Sequence, residues 1–87
     1  MAGVRTTEAV QAISSAIAPY IGETMARAAT LAHLRKLGVG ETEVREPELD
    51  ALLRQLLIGL NVFVGRARSA EAIGAARLAL TALGGGP

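Results

Sequence analysis

The chain has 87 residues and a formal net charge of +1, and 51% of its residues are hydrophobic while 2% are aromatic. A chain of this length makes one domain with a thin core. The nearly neutral charge argues against binding through many phosphate contacts, and the absence of cysteine excludes disulfides and thiol chemistry. Alanine and leucine are strong helix formers, so we expect a single helical domain over residues 1–87 with an aliphatic core.

The longest apolar run extends from Leu56 to Gly65 and is interrupted by Asn61. It falls well short of the roughly 20 residues that a membrane span requires. The N-terminal residues also lack the basic and apolar pattern of a signal peptide. We therefore expect a cytoplasmic protein without membrane contact, and the excess of arginine over lysine is typical of a GC-rich bacterial genome.

The first predicted helix covers residues 7–37, with Thr6 or Thr7 as its cap. Pro19 lies inside it and cannot donate an amide hydrogen bond. Apolar residues nevertheless recur at steps of three and four on both sides of the proline: Val10, Ile13, Ile17, Ile21, Met25, Ala28 and Ala32. This shared phase favours one long helix kinked at Pro19 over two helices separated by a turn.

Gly38 is the residue expected in a left-handed conformation just past the end of this helix, with Val39 folding back onto Leu34. An acidic loop follows. Pro47 suits the first turn of a second helix over 47–64, which carries a leucine stripe and becomes apolar nearly all round from Leu56 onward. Gly65 ends it, and Ser69 caps a third helix over 69–83 before a flexible tail at 84–87. These elements predict a small antiparallel all-α bundle.

The segment "AHLRKLG" contains His33, the single histidine of the chain, with Lys36 three residues later. It resembles the phosphoacceptor segment of histidine phosphotransfer domains, although Gly38 stands one position late. The resemblance implies a histidine phosphotransfer protein that uses His33. The alternative, which we favour, is that His33, Arg35 and Lys36 place positive charge on the last helical turn.

Arg66 and Arg68 precede the predicted third helix and are candidates for contact with an anion or an acidic partner. The carboxylates between residues 41 and 50 show neither calcium-loop spacing nor a nearby histidine. We therefore predict no catalytic residue, no metal site and no cofactor.

The three predicted helices carry more apolar surface than they can bury against one another, which indicates an interface with another chain. Its predicted residues are Leu56, Leu57, Ile58, Val62 and Phe63, with Gly22 and Ala26 on a small-residue face of the first helix. We expect a non-enzymatic interaction or regulatory adaptor module that forms a homodimer and binds another protein. A DNA-binding transcriptional regulator is the alternative, but the arginines are dispersed along the chain, which argues against a nucleic-acid partner.

Overall fold

The computed structural model describes residues 4–38 and 43–85. It confirms a small all-α bundle whose helices pack against each other. Its elements are β1 (Val4–Arg5), α1 (Thr6–Ile21), α2 (Glu23–Lys36), β2 (Glu43–Val44), α3 (Glu46–Leu80) and a π-helical turn (Thr81–Gly85).

The chain folds back at Gly22, between α1 and α2, so the prediction of one helix kinked at Pro19 is wrong. Helix α1 continues past Pro19 to Ile21, and the Gly22 amide donates to the Ala18 carbonyl at 2.7 Å. Gly22 then adopts φ 90° and ψ 154°, a backbone region that is essentially restricted to glycine. A continuous helix over 6–36 would be about 46 Å long, whereas the longest dimension of the molecule is 32 Å.

The break at Gly22 also changes which face of the chain is buried. Val10, Ile13 and Ile17 lie in the core as predicted, but Met25 is 45% exposed. The predicted stripe residues Ala28 and Ala32 are likewise exposed. Because α2 restarts at Glu23 in a new direction, its buried residues are instead Ala26, Thr30 and Leu34.

Helix α3 contains a second fold-back at Gly65, where φ is 84° and ψ is 169°. Gly65 does end the helical run over 46–64, as predicted. The helix resumes at once over 66–80, so residues 66–68 are helical and Ser69 is not a cap. The Ser69 hydroxyl instead faces two acceptors, the Arg66 carbonyl at 3.0 Å and, across the bend, the side-chain oxygen of Asn61.

Farther along the two halves of α3, Arg77 Nη2 lies 3.1 Å from Asp50 Oδ1. Asp50 Oδ2 also accepts from Arg54 at 2.9 Å. Both ion pairs are exposed and contribute little energy. The Asp50–Arg77 pair nevertheless defines the geometry of α3, because residues 50 and 77 can meet only if 46–64 and 66–80 form a helical hairpin.

A short antiparallel pairing joins β1 to β2, with Val4 opposite Val44. Both valines are buried. The sequence predicted a loop at 43–44 and a threonine cap for the first helix. The pairing makes Arg5 the N-cap of α1 instead, and the Arg5 side chain donates no cap hydrogen bond.

Other predicted helix ends are confirmed. Gly38 has φ 67°, and Pro47 lies in the first turn of α3, where Glu48 Oε1 accepts from the Arg45 amide at 2.9 Å. The predicted contact of Val39 lies outside the described residues. Residues 84 and 85 belong to the π-helical turn rather than to a tail, and 86–87 again lie outside the described residues.

The core lies where α1 meets both halves of α3. Leucines on one face of 46–64 meet the aliphatic face of α1, while small and aliphatic residues of 66–80 complete it. The buried hydrophobic residues of these three segments are Ala9, Val10, Ile13, Ile17, Leu49, Leu52, Leu53, Leu56, Leu60, Ala72, Ile73, Ala76 and Leu80.

We predict that Gly65→Ala lowers the free energy of unfolding by about 1–3 kcal/mol, because an alanine is strained at a glycine-only backbone conformation. Urea unfolding at one fixed protein concentration measures the change. Gly74→Ala is the matched control, because its added Cβ would meet open space in a regular helix, and it should raise stability by about 0.5–1 kcal/mol. Equal stability of the two variants would contradict the role of Gly65.

Candidate interaction surface

Three large apolar side chains stand exposed on the first half of α3. Ile58 is 63% exposed, Val62 83% and Phe63 64%. We call these three residues the apolar patch. Exposed apolar side chains clustered in this way mark interaction surfaces more often than single exposed ones do.

Helical periodicity explains the exposure. The buried leucines of 46–64 share the face that contacts α1, and Ile58 and Val62, four residues apart, lie on the opposite face. Phe63 lies next to the bend at Gly65 and is 64% exposed, although it follows the buried Leu56 by seven residues and so lies on the leucine side of the helix. The exposure of Ile58 and Val62 is therefore a consequence of a helix that is apolar all round but covered on one side, and Phe63 extends the patch toward the bend.

The remaining predicted interface residues are placed differently. Leu56 is 2% exposed and Ala26 is fully buried, so both are core residues of the chain itself and belong to no exposed surface. Leu57 is half-buried and packs against the core. Gly22 is exposed, but its place in the structure is the turn between α1 and α2.

Arg66 and Arg68 lie in the first turn after Gly65, and both are exposed. The Arg68 guanidinium stands over the ring of Tyr20, 5.4 Å from its centroid. This cation–π contact joins the second half of α3 to the last turn of α1. Arg68 therefore already has a partner within the chain, while contact of Arg66 with an anion or acidic partner stays a prediction.

His33 lies in the last turn of α2, three residues before the helix ends at Lys36. Its Nδ1 atom is buried and has no hydrogen-bond partner among the described residues. Burial and, secondarily, the charge of Lys36 lower the pKa of His33 below the ordinary value of 6.5. His33, Arg35 and Lys36 all lie in the last turn of α2, as expected. The lowered pKa makes His33 the smallest contributor to the positive charge of that turn at neutral pH.

Several exposed or polar features were not predicted from the sequence. Leu78 is 74% exposed near the opposite end of the α3 hairpin, where Arg77 meets Asp50. An open cleft also lies at the Gly22 turn, between α1 and α2. The periodicity of apolar residues in the sequence could not predict the exposure of Leu78 or the cleft, because both depend on how the helices fold back on one another.

Comparisons with protein-family models, with curated proteins and with solved structures find no match for this chain. Within the described residues, no helix combines the length and apolar character needed to cross a bilayer. The same residues bring together no group of three acidic or histidine side chains suited to a metal ion.

We predict that His33→Gln flattens the pH dependence of stability just below pH 6.5. The folded-state pKa of His33 is lowered, so the neutral imidazole stabilises the fold fully above 6.5. That contribution is lost as the pH falls through the window below 6.5, because the unfolded chain takes up the proton first.

Thermal unfolding of wild type and His33→Gln, followed from about pH 7 to pH 5, measures this difference. Arg35→Gln is the control in the same helical turn and should retain the wild-type slope. Identical slopes for wild type and His33→Gln would show that His33 does not act through its protonation.

Proposed function

We propose that this chain is a small non-enzymatic interaction module, of the regulatory or adaptor class, that works as a homodimer formed through the apolar patch. The supporting observation is the exposure of Ile58, Val62 and Phe63 within six residues of a single helix, with Ile58 and Val62 on the face opposite the core. A chain this short has a thin core, so burial of further apolar surface against a partner would stabilise it. A second copy is the occupant that the aliphatic character of the patch suits best.

A two-fold axis through the middle of the patch brings two α3 helices together in antiparallel fashion. Ile58 of one protomer then meets the partner's Val62, and the reverse contact follows from the symmetry. Gly59 lies between them on the helix, and a Cβ built there meets nothing within the protomer. The absence of a side chain at Gly59 lets the two helices approach closely at that point.

The energy of this contact is consistent with a modest affinity. Burying an aliphatic or aromatic side chain fully contributes about 1.5–3 kcal/mol. Six such side chains, three from each protomer, are already partly buried and so contribute less than the full amount. Association costs an estimated 4–15 kcal/mol, which offsets much of this gain, so we expect a modest affinity and a dimer that leaves the rest of the surface free for a further protein.

We predict that Val62→Glu yields a folded monomer. Val62 is 83% exposed, so a glutamate there remains solvated in the protomer but would be buried without a partner in the dimer. Sedimentation velocity at micromolar concentration reports the mass, and circular dichroism reports the retained helix content.

Leu78→Glu is the matched control, because Leu78 is 74% exposed and lies outside the patch. It should leave the dimer intact. A wild-type chain that sediments as a monomer, or a Leu78→Glu variant that dissociates as fully as Val62→Glu, would count against the proposed dimer.

A further inference from the structure

Helix α2 is held to the bundle by few side chains. Its buried residues are Ala26, Thr30 and Leu34, which follow one another at steps of four along one narrow stripe. The 14 residues of α2 thus bury three side chains, whereas the 16 residues of α1 bury five. Helices with few buried apolar contacts belong to the low-stability parts of a protein.

Two buried polar atoms make the closed position of α2 less favourable. The hydroxyl of Ser14, on α1, and Nδ1 of His33, on α2, have no hydrogen-bond partner within the described residues. Ser14 also lines the open cleft of about 710 Å³ between the second half of α1 and the first two turns of α2. A buried polar group without a partner is destabilising, and water satisfies it once the covering helix moves away.

Polar contacts join the other segments of the bundle to one another. Arg77 donates to Asp50 between the two halves of α3, and the Arg68 guanidinium stands over the ring of Tyr20 on α1. In α2 the buried Thr30 hydroxyl donates at 2.8 Å to a carbonyl of its own helix. That bond survives if α2 separates from α1 as an intact helix.

A glycine with positive φ lies at each end of α2. Gly22 has φ 90° and Gly38 has φ 67°. Glycine takes up both positive and negative φ with little steric cost. Both ends of α2 can therefore change direction while the helix between them stays intact.

We propose that α2 is a strap that opens as one unit, hinged at Gly22 and Gly38, while α1 and α3 remain packed together. The core lies where α1 meets both halves of α3, so it does not need α2. Opening exposes the side of α1 that carries Ser14. It leaves Ile58 and Val62, on the face of α3 opposite the core, as they are.

The test is native-state hydrogen exchange of the full ¹⁵N-labelled chain, measured at denaturant concentrations below the unfolding midpoint. The amides of residues 27–36 should share one free energy of opening. They should exchange at least about tenfold faster than the slowest amides of α1 and α3. Equal protection in α2 and in those two helices would overturn the proposal.

Ile73→Val tests whether α2 opens apart from the core. Ile73 is buried in the second half of α3. Loss of one methylene there should speed exchange of the slowest amides of α1 and α3 by about two- to tenfold. Exchange in α2 should not change, because the contacts of Ile73 persist in the open state. An equal acceleration in α2 would show that this helix opens only with the whole chain, which would overturn the proposal.

Ser14→Ala removes the unpartnered hydroxyl and should slow exchange in α2 by about fivefold or more relative to its control. The matched control is Ser15→Ala, which makes the same chemical change at an exposed neighbouring position where the hydroxyl accepts from Gln11 at 3.2 Å. Equal exchange in α2 for the two variants would also overturn the proposal, because Ser14 would then lie outside the contact that opens.

Discussion

The fold depends on two glycines that hold a backbone conformation which other residues avoid. Gly22 and Gly65 have φ values of 90° and 84°, with ψ near the extended value in both. Each reverses a helix within a single residue, so the chain forms two helical hairpins with no loop at either bend. Without these reversals the aliphatic faces of α1 and α3 would lie along rods too long for the molecule, and no shared core would form.

The apolar patch and the cleft both follow from these reversals. Folding at Gly65 places 66–80 against 46–64 and α1, which leaves Ile58 and Val62 on an uncovered face and Phe63 exposed beside the bend. Folding at Gly22 starts α2 abruptly, with uncapped amides beside the side of α1 that carries Ser14. The same local constraint thus leaves an apolar surface on one hairpin and a polar cleft on the other.

Local patterns predicted much of this fold, because they depend on neighbouring residues. Pro47, Gly38 and Gly65 mark helix ends where the sequence places them, and the leucine stripe of α3 is buried. The break at Gly22 was missed because the apolar residues on its two sides share a phase by coincidence. The Val4–Val44 pairing and the contact of Asp50 with Arg77 join distant residues, so periodicity held no signal for them. The sequence predicted Ile58 and Val62 as interface residues, and both are exposed. It also predicted Leu56 and Ala26, which are core residues, because only the packing of the helices shows which apolar residues are buried within the chain.

The central claim, that α3 is a hairpin folded at Gly65, can be measured directly because the chain has no native cysteine. A nitroxide label on Arg54→Cys would be observed through its broadening of ¹⁵N amide signals, with the labelled chain diluted into excess unlabelled, unenriched protein to suppress contacts between copies. The hairpin predicts strong broadening at Gly74 and Arg77, since Asp50, one turn from Arg54, pairs with Arg77 at 3.1 Å. A continuous helix would place Arg54 and Arg77 about 35 Å apart, and sharp signals at both residues would contradict the account.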